Sequence, residues 1–229
     1  MDYFVIFFQH LCLVGGSIAL LFLPFLLVFY LRNRAQIVEK RPHFNQFMEN
    51  FFASNESYCL VFTWALLEAT IWFVIPEFLL FLIIFMKVTH KRKLLFYDIA
   101  GTVLGTVVGI SLALSSDIML KIPYVYQSMI DQTHKWYEEL GVLALIHQPF
   151  SGVPYKVFLS EAHLFSLPIL FFIFFAITVR IARYIFGYSI MMAIYPLINR
   201  FVYRNYLILL TLAIIIFTAL LLRVSNIYS

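Results

Sequence analysis

The sequence predicts an all-α polytopic membrane protein in which two opposed re-entrant helical hairpins pack among about four transmembrane helices. Three observations predict it. Hydrophobic residues make up 63% of the 229 positions, and several apolar runs exceed the roughly 18 residues that mark a spanning helix. One such run, Cys59 to Met86, carries Glu68, Pro76 and Glu77 in its middle. A second stretch, Gly141 to Leu159, is apolar but broken by Pro149, Gly152 and Pro154.

An intramembrane carboxylate is expected to face a protein interior or a wet cavity, because a charge at the bilayer centre costs about 2.5–3.5 kcal/mol. In one straight helix, Glu68 and Glu77 would fall on opposite faces at about 100° per residue. Pro76 lacks an N–H and disfavours helix at Ile75, so a break there lets both acids turn inward. Arg32, Arg34, Lys40 and Arg41 precede the segment; Lys87, Lys91, Arg92 and Lys93 follow it. Basic loops mark the cytoplasmic side, so both ends read as cytoplasmic and the segment as a re-entrant hairpin. An ordinary kinked transmembrane helix with structural acids is the other reading.

The remaining elements follow in order. Leu11 to Leu31 is uncharged and ends at Arg32 and Arg34, which predicts a transmembrane helix with its N-terminus outside and a kink at Pro24. It is too long for a signal-peptide core. Phe44, Phe47, Met48 and Phe51 recur at helical spacing among polar residues, as in a helix lying on the cytoplasmic interface or a linker with incidental aromatics. Leu94 to Leu114 holds Gly101, Gly105 and Gly109 four apart, a flat strip that lets another backbone approach. Asp98, near the same face, reads as interfacial in preference to part of a site. Ser115 to Leu140 is acidic and reads as an external loop, with Tyr124, Tyr126, Trp136 and Tyr137 anchoring it at the headgroups. Gly141 to Leu159 is the second hairpin, entering from the outer side. His163 to Arg183 is a span with Arg180 and Arg183 on one face, Tyr184 to Asn199 is ambiguous, and Tyr206 to Leu222 is the last span. All of the 16 basic residues except Lys121, Lys135, Lys156 and Arg223 then lie in the cytoplasm.

These boundaries divide the chain into an N-terminal helix with its interfacial segment (1–58), a core holding both hairpins (59–186) and a C-terminal transmembrane segment (187–229). No polar stretch is long enough for a soluble domain. The net charge of +4 describes loop topology and gives no support to nucleic-acid binding. Cys12 and Cys59 sit in or beside apolar segments and form no disulfide framework. The six histidines make no metal-spaced pair, and neither a metal nor another cofactor is expected. No serine–lysine or His-Glu motif at catalytic spacing points to an enzyme, and no catalytic residue is expected.

Four stretches resemble the DedA superfamily, also called VTT or SNARE-associated Golgi proteins, and most closely its YqaA-like branch. Glu68-Ala69-Thr70 followed by Ile75-Pro76-Glu77-Phe78-Leu79-Leu80 is similar to the family's first hairpin, and Gly101 to Gly109 to the helix after it. Gly152-Val153-Pro154-Tyr155-Lys156-Val157-Phe158 resembles the proline-tyrosine-lysine signature of the second hairpin, and Arg180-Ile181-Ala182-Arg183-Tyr184 the paired arginines that follow. The resemblance covers about Trp64 to Tyr184. It departs from the family where a double proline often stands in place of Ile75-Pro76 and a small Ala-Gly pair in place of Glu161-Ala162.

The resemblance implies two opposed hairpins and activity as a lipid flippase or scramblase or as a proton-coupled transporter. Membrane lipids, with protons as a coupling ion, are the expected partners, and the bacterial cytoplasmic membrane the expected location. Glu68, Glu77, Lys156, Arg180 and Arg183 are the expected substrate or proton site, with Pro76, Gly152 and Pro154 at the hairpin breaks. The alternatives are a proton-coupled transporter of small soluble molecules and a scaffold without transport. On the transport reading, Glu68→Gln should stay folded and lose transport.

Overall fold

The computed structural model describes residues 2–86 and 90–229, which leaves Lys87 of the expected basic turn outside the described residues. Among these residues there are helices and no strands. The order is α1 (Asp2–Lys40), α2 (Phe44–Phe52), α3 (Asn55–Thr70), α4 (Pro76–Ile84), α5 (Lys91–Leu112), α6 (Ser116–Met119), α7 (Gln127–Leu140), a 3-10 segment (Gly141–His147), α8 (Gln148–Ser151), α9 (Tyr155–Glu161), a 3-10 turn (Ala162–Leu164), α10 (Ile169–Arg204) and α11 (Tyr206–Tyr228). Four of them, α1, α5, α10 and α11, are long and apolar enough to cross a membrane, and the chain is an integral membrane protein.

α1 and α10 are longer than the sequence suggests. Helix α1 continues past the expected end at Leu31 through Arg32-Asn33-Arg34-Ala35-Gln36, a stretch rich in good helix formers, and accommodates Pro24. At 1.5 Å per residue its 39 residues reach about 58 Å, nearly twice the hydrocarbon thickness. Helix α10 fuses the expected span ending at Arg183 with the ambiguous piece beyond it, and Gly187 and Pro196 lie inside it. His163 and Leu164 belong instead to the short turn before it.

The stretch expected as an external loop contains a helix. In α7, Met129, Ile130, Thr133 and Tyr137 are buried while Gln127, Asp131, Lys135 and Glu138 are exposed. A narrow apolar stripe at helical spacing was hidden by the polar composition around it. Tyr137 is buried and donates to the Phe158 carbonyl at 2.7 Å. Trp136 stacks against His147 and Phe158. These aromatics are packing groups of the fold, and two of the residues expected as headgroup anchors, Tyr124 and Tyr137, are buried.

The glycine strip of α5 lies against α3 as expected. A Cβ added at Gly101 would stand 2.3 Å from the Phe62 carbonyl oxygen. At Gly105 it would meet the Leu66 carbonyl oxygen and Ala69 Cβ, both at 2.8 Å, and at Gly109 it would meet Leu159 at 2.9 Å. With side chains absent, the backbones of α3 and α5 close on each other and recover dispersion contact, which is the main attraction between helices in lipid. On the next position of each turn, Thr102 and Thr106 are fully buried. α5 is therefore the post around which the charged site is assembled.

Contacts sort into two ends of the bundle. At one end Arg32 pairs with Glu56 at 3.1 Å, Asn45 donates to the Tyr203 carbonyl and Tyr203 donates to Glu49. At the other, His10 hydrogen-bonds Tyr124 at 2.8 Å and Tyr126 contacts Ser225. The basic flanks of α1 and α10 gather at the first end, and the acidic residues of α6 and α7 at the second. Helix α2 packs into the bundle through Met48, Phe51 and Phe52, which are buried.

Candidate functional site

Two interrupted helices meet α10 in the middle of the bundle. At 1.5 Å per residue, α3 spans about 24 Å and α4 about 13 Å, so neither crosses a bilayer alone. Between them, 71–75 is non-helical, and helix resumes at Pro76, where a missing N–H costs nothing. Irregular backbone at such a depth needs internal partners. Ile71 and Trp72 N–H both donate to Leu67 O, Trp64 Nε1 donates to Val74 O at 2.8 Å, and Lys156 Nζ donates to Trp72 O. The second break has the same logic. Gly152 sits at φ +78°, a region that favours glycine, Val153 N–H donates to Ser151 Oγ, and α9 begins after Pro154.

The break turns Glu68, at the end of α3, and Glu77, in the first turn of α4, toward the same helix. Arg180 and Arg183, three apart on α10, receive them. Arg180 Nη2 donates to Glu68 Oε2, with side chains 0% and 6% exposed. Arg180 also donates to Tyr184 OH at 2.9 Å and lies 4.4 Å from the centroid of the Tyr155 ring. Tyr184 OH accepts in addition from Thr102, and Tyr155 OH hydrogen-bonds Thr106, both at 2.9 Å. One guanidinium thus joins α3, α5, α9 and α10.

The second pair differs. Arg183 Nε stands 2.7 Å from Glu77 Oε1, with side chains 22% and 16% exposed. The angles fall outside hydrogen-bond geometry, leaving both Glu77 oxygens without such a partner. This pair is partly exposed and has no hydrogen-bond partner at Glu77, whereas the first is held among Tyr155, Tyr184 and the threonines behind them.

Two voids adjoin the pairs. An apolar groove of about 560 Å³, lined by Ile75, Ile146, Pro149, Phe150, Phe186 and Ile190 among others, ends at Glu77 and Arg183. It shares Ile75, Pro149 and Arg183 with an inner cavity of about 160 Å³ that reaches Glu68, Gln148 and Lys156 between the two breaks. Several buried polar atoms have no hydrogen-bond partner among the described residues: Gln148 Oε1, in the wall of the inner cavity, and Trp72 Nε1, Arg180 Nε and Nη1 and both oxygens of Asp98, whose residues line neither void. Buried polar groups ordinarily have partners, so the unpartnered oxygens of Glu77 and Gln148, both residues of the void linings, are where water or a polar ligand would be held.

The structure thus gathers all five expected charged residues around the two breaks, but not in equal roles. Lys156, expected on the outer side, is internal, 2% exposed, and crosslinks the two breaks through Trp72. Arg183 is the cation that faces the groove. Asp98, read as interfacial, is fully buried in the bundle, and neither of its oxygens has a hydrogen-bond partner among the described residues. Tyr155, Tyr184, Thr102 and Thr106 carried no role in the sequence reading; the four-residue spacings Arg180/Tyr184 and Thr102/Thr106 put each pair on one face and could have exposed them. Glu161, which had no role from sequence, is buried and held by His134 at 2.7 Å and by Ser116 at 3.2 Å, so it fixes α7 and α6 onto α9. Among the described residues no group of side chains is arranged to hold a metal ion. No protein-family model, curated protein or solved structure matches the chain.

Proposed function

We propose that the chain moves a lipid with a phosphate-bearing, anionic headgroup across the bilayer, as a flippase or scramblase of the DedA type, with α3–α4 and the 141–161 segment as opposed re-entrant hairpins. The observation that carries this reading is that the apolar groove and the inner cavity, which reaches Glu68 and Lys156, share Ile75, Pro149 and Arg183 as a common wall. An acyl chain suits the groove. A headgroup suits the charged junction, where the partly exposed guanidinium of Arg183 can pass from Glu77 to a phosphate as a bidentate donor. Re-entrant segments ending near the midplane shorten the barrier that a charged headgroup would face in hydrocarbon. Arg180 holds the frame and does not touch the lipid.

Reconstitution into liposomes with fluorescent lipids tests the reading. Arg183→Gln is expected to stay folded and to lower lipid movement at least tenfold. Arg183→Lys should recover part of it, because an ammonium keeps the charge without the fork. Wild-type rates in a folded Arg183→Gln protein would overturn the assignment.

Asp98 favours a second reading, proton-coupled transport of a small soluble molecule. A fully buried carboxylate with no hydrogen-bond partner among the described residues needs a proton or a counter-charge. On this reading Asp98→Asn abolishes acidification of proteoliposomes, followed by an enclosed pH dye, while the protein remains folded. Lipid movement that survives in Asp98→Asn separates the two readings.

A further inference from the structure

We infer that α11 is a hinged wall of the inner cavity, which swings about its Asn205–Tyr206 end and opens the cavity to the surrounding lipid when its other end is released. The inference concerns a helix outside the stretch that carries the family resemblance. Phe217, Leu221 and Val224, on one face of α11, line the cavity beside Gln148, Lys156 and Arg183. Only Tyr206 and Thr218 of the helix are buried, and its remaining core contacts, through Leu209, Leu210, Ala213, Ile214 and Phe217, are made by partly buried apolar side chains. Thr218 spends its hydroxyl on Ile214 O of the same helix, so it forms no cross-link. The helix packs along α1, and the hydrogen bonds that tie it to other elements lie at its two ends.

The two ends are built differently. At the near end Tyr206 is buried and its hydroxyl donates to Leu82 O, giving a fixed pivot directly after the interruption at Asn205. The far end is held by hydroxyl contacts and by the apolar packing of Val224 and Tyr228. Tyr228 OH donates to Ser151 O at 2.7 Å, Ser128 Oγ donates to Tyr228 O, and Tyr126 OH contacts Ser225 Oγ. The latch therefore closes on the second break. Gly152 completes it, since a Cβ there would stand 3.3 Å from Val224. A single exchangeable hydrogen bond contributes little to the stability of the whole bundle, so partial loss of the latch shifts an opening equilibrium without unfolding it.

The test uses the full chain with Cys12 and Cys59, both exposed, replaced by alanine. A single reporter, Gln148→Cys, sits at a buried position in the cavity wall. Its modification by N-ethylmaleimide is followed in proteoliposomes. Removing two latch contacts with Tyr228→Phe and Ser225→Ala is expected to raise the rate about tenfold, the factor that two such bonds supply. In a second arm, Tyr126→His and Ser225→His provide a pair that Zn²⁺ can bridge. Zn²⁺ is then expected to slow labelling at least fivefold relative to the same protein with chelator, with no Zn²⁺ effect in the unmodified latch. A folded Tyr228→Phe/Ser225→Ala protein that labels at the parent rate, or a Zn²⁺ bridge that changes nothing, would overturn the hinge. Labelling needs no transport, so this result and the failure of the proposed lipid movement are read independently.

Discussion

Arg180→Gln is expected to remove most of the folded protein. The substitution leaves Glu68 charged and buried, and takes away the contacts that join α3, α9 and α10 at one guanidinium. Breaking a buried pair by removing one partner costs about 3–5 kcal/mol, well above the worth of an exposed pair. Glu68→Gln should behave alike, because it strands Arg180, whose side chain is fully buried. The sequence alone suggested a folded but inactive Glu68→Gln protein; burial of the pair replaces that expectation with loss of stability. The double variant Glu68→Gln/Arg180→Gln should be less damaged than the two single effects added together, since no unpaired charge remains. Thermal melting in detergent and the monodisperse fraction on gel filtration measure this. Single variants that melt with the wild type would show that the pair carries no structural load.

Gly101→Ala is the second large effect. The new methyl would stand 2.3 Å from the Phe62 carbonyl oxygen, a backbone atom that cannot rotate away, so α3 and α5 must separate. Overpacking of this kind costs about 1–3 kcal/mol or more. Gly105→Leu should be worse, because its larger side chain enters the same seam. Gly187→Ala is the matched control: no atom lies within 4 Å of its Cβ position, and alanine favours helix by up to about 1 kcal/mol. Leu104→Ala, at an exposed position one residue from the seam, should be mild. Equal melting temperatures for Gly101→Ala and Gly187→Ala would mean that the strip is no contact surface.

Much of the architecture was legible because the signals are local. Gly101, Gly105 and Gly109 state their packing face through spacing alone, and Pro76 and Gly152 state where the helix cannot continue. The pairing of Glu68 with Arg180 and of Glu77 with Arg183 was not legible. Both acids and both arginines stood out, but which meets which depends on how 71–75 rotates α4 relative to α3. The burial of Asp98 was not legible because position along a helix does not give depth within a bundle. α7 was misread because its four inward residues are outnumbered by polar ones. The role of Glu161 could not be read, since His134 and Ser116 are brought to it only by the fold.

The proposed mechanism depends most on the two broken segments entering from opposite faces of the membrane, and the sidedness of four exposed positions tests that directly. Cysteines at Arg34, Lys93, Lys121 and Lys135, placed singly in a background without Cys12 and Cys59, are labelled with an impermeant maleimide in intact cells and again after permeabilisation. Positions 121 and 135 are predicted to label from outside, and positions 34 and 93 only after permeabilisation. Labelling of position 93 from outside would mean that 59–86 crosses the membrane completely, and would contradict the opposed-hairpin arrangement.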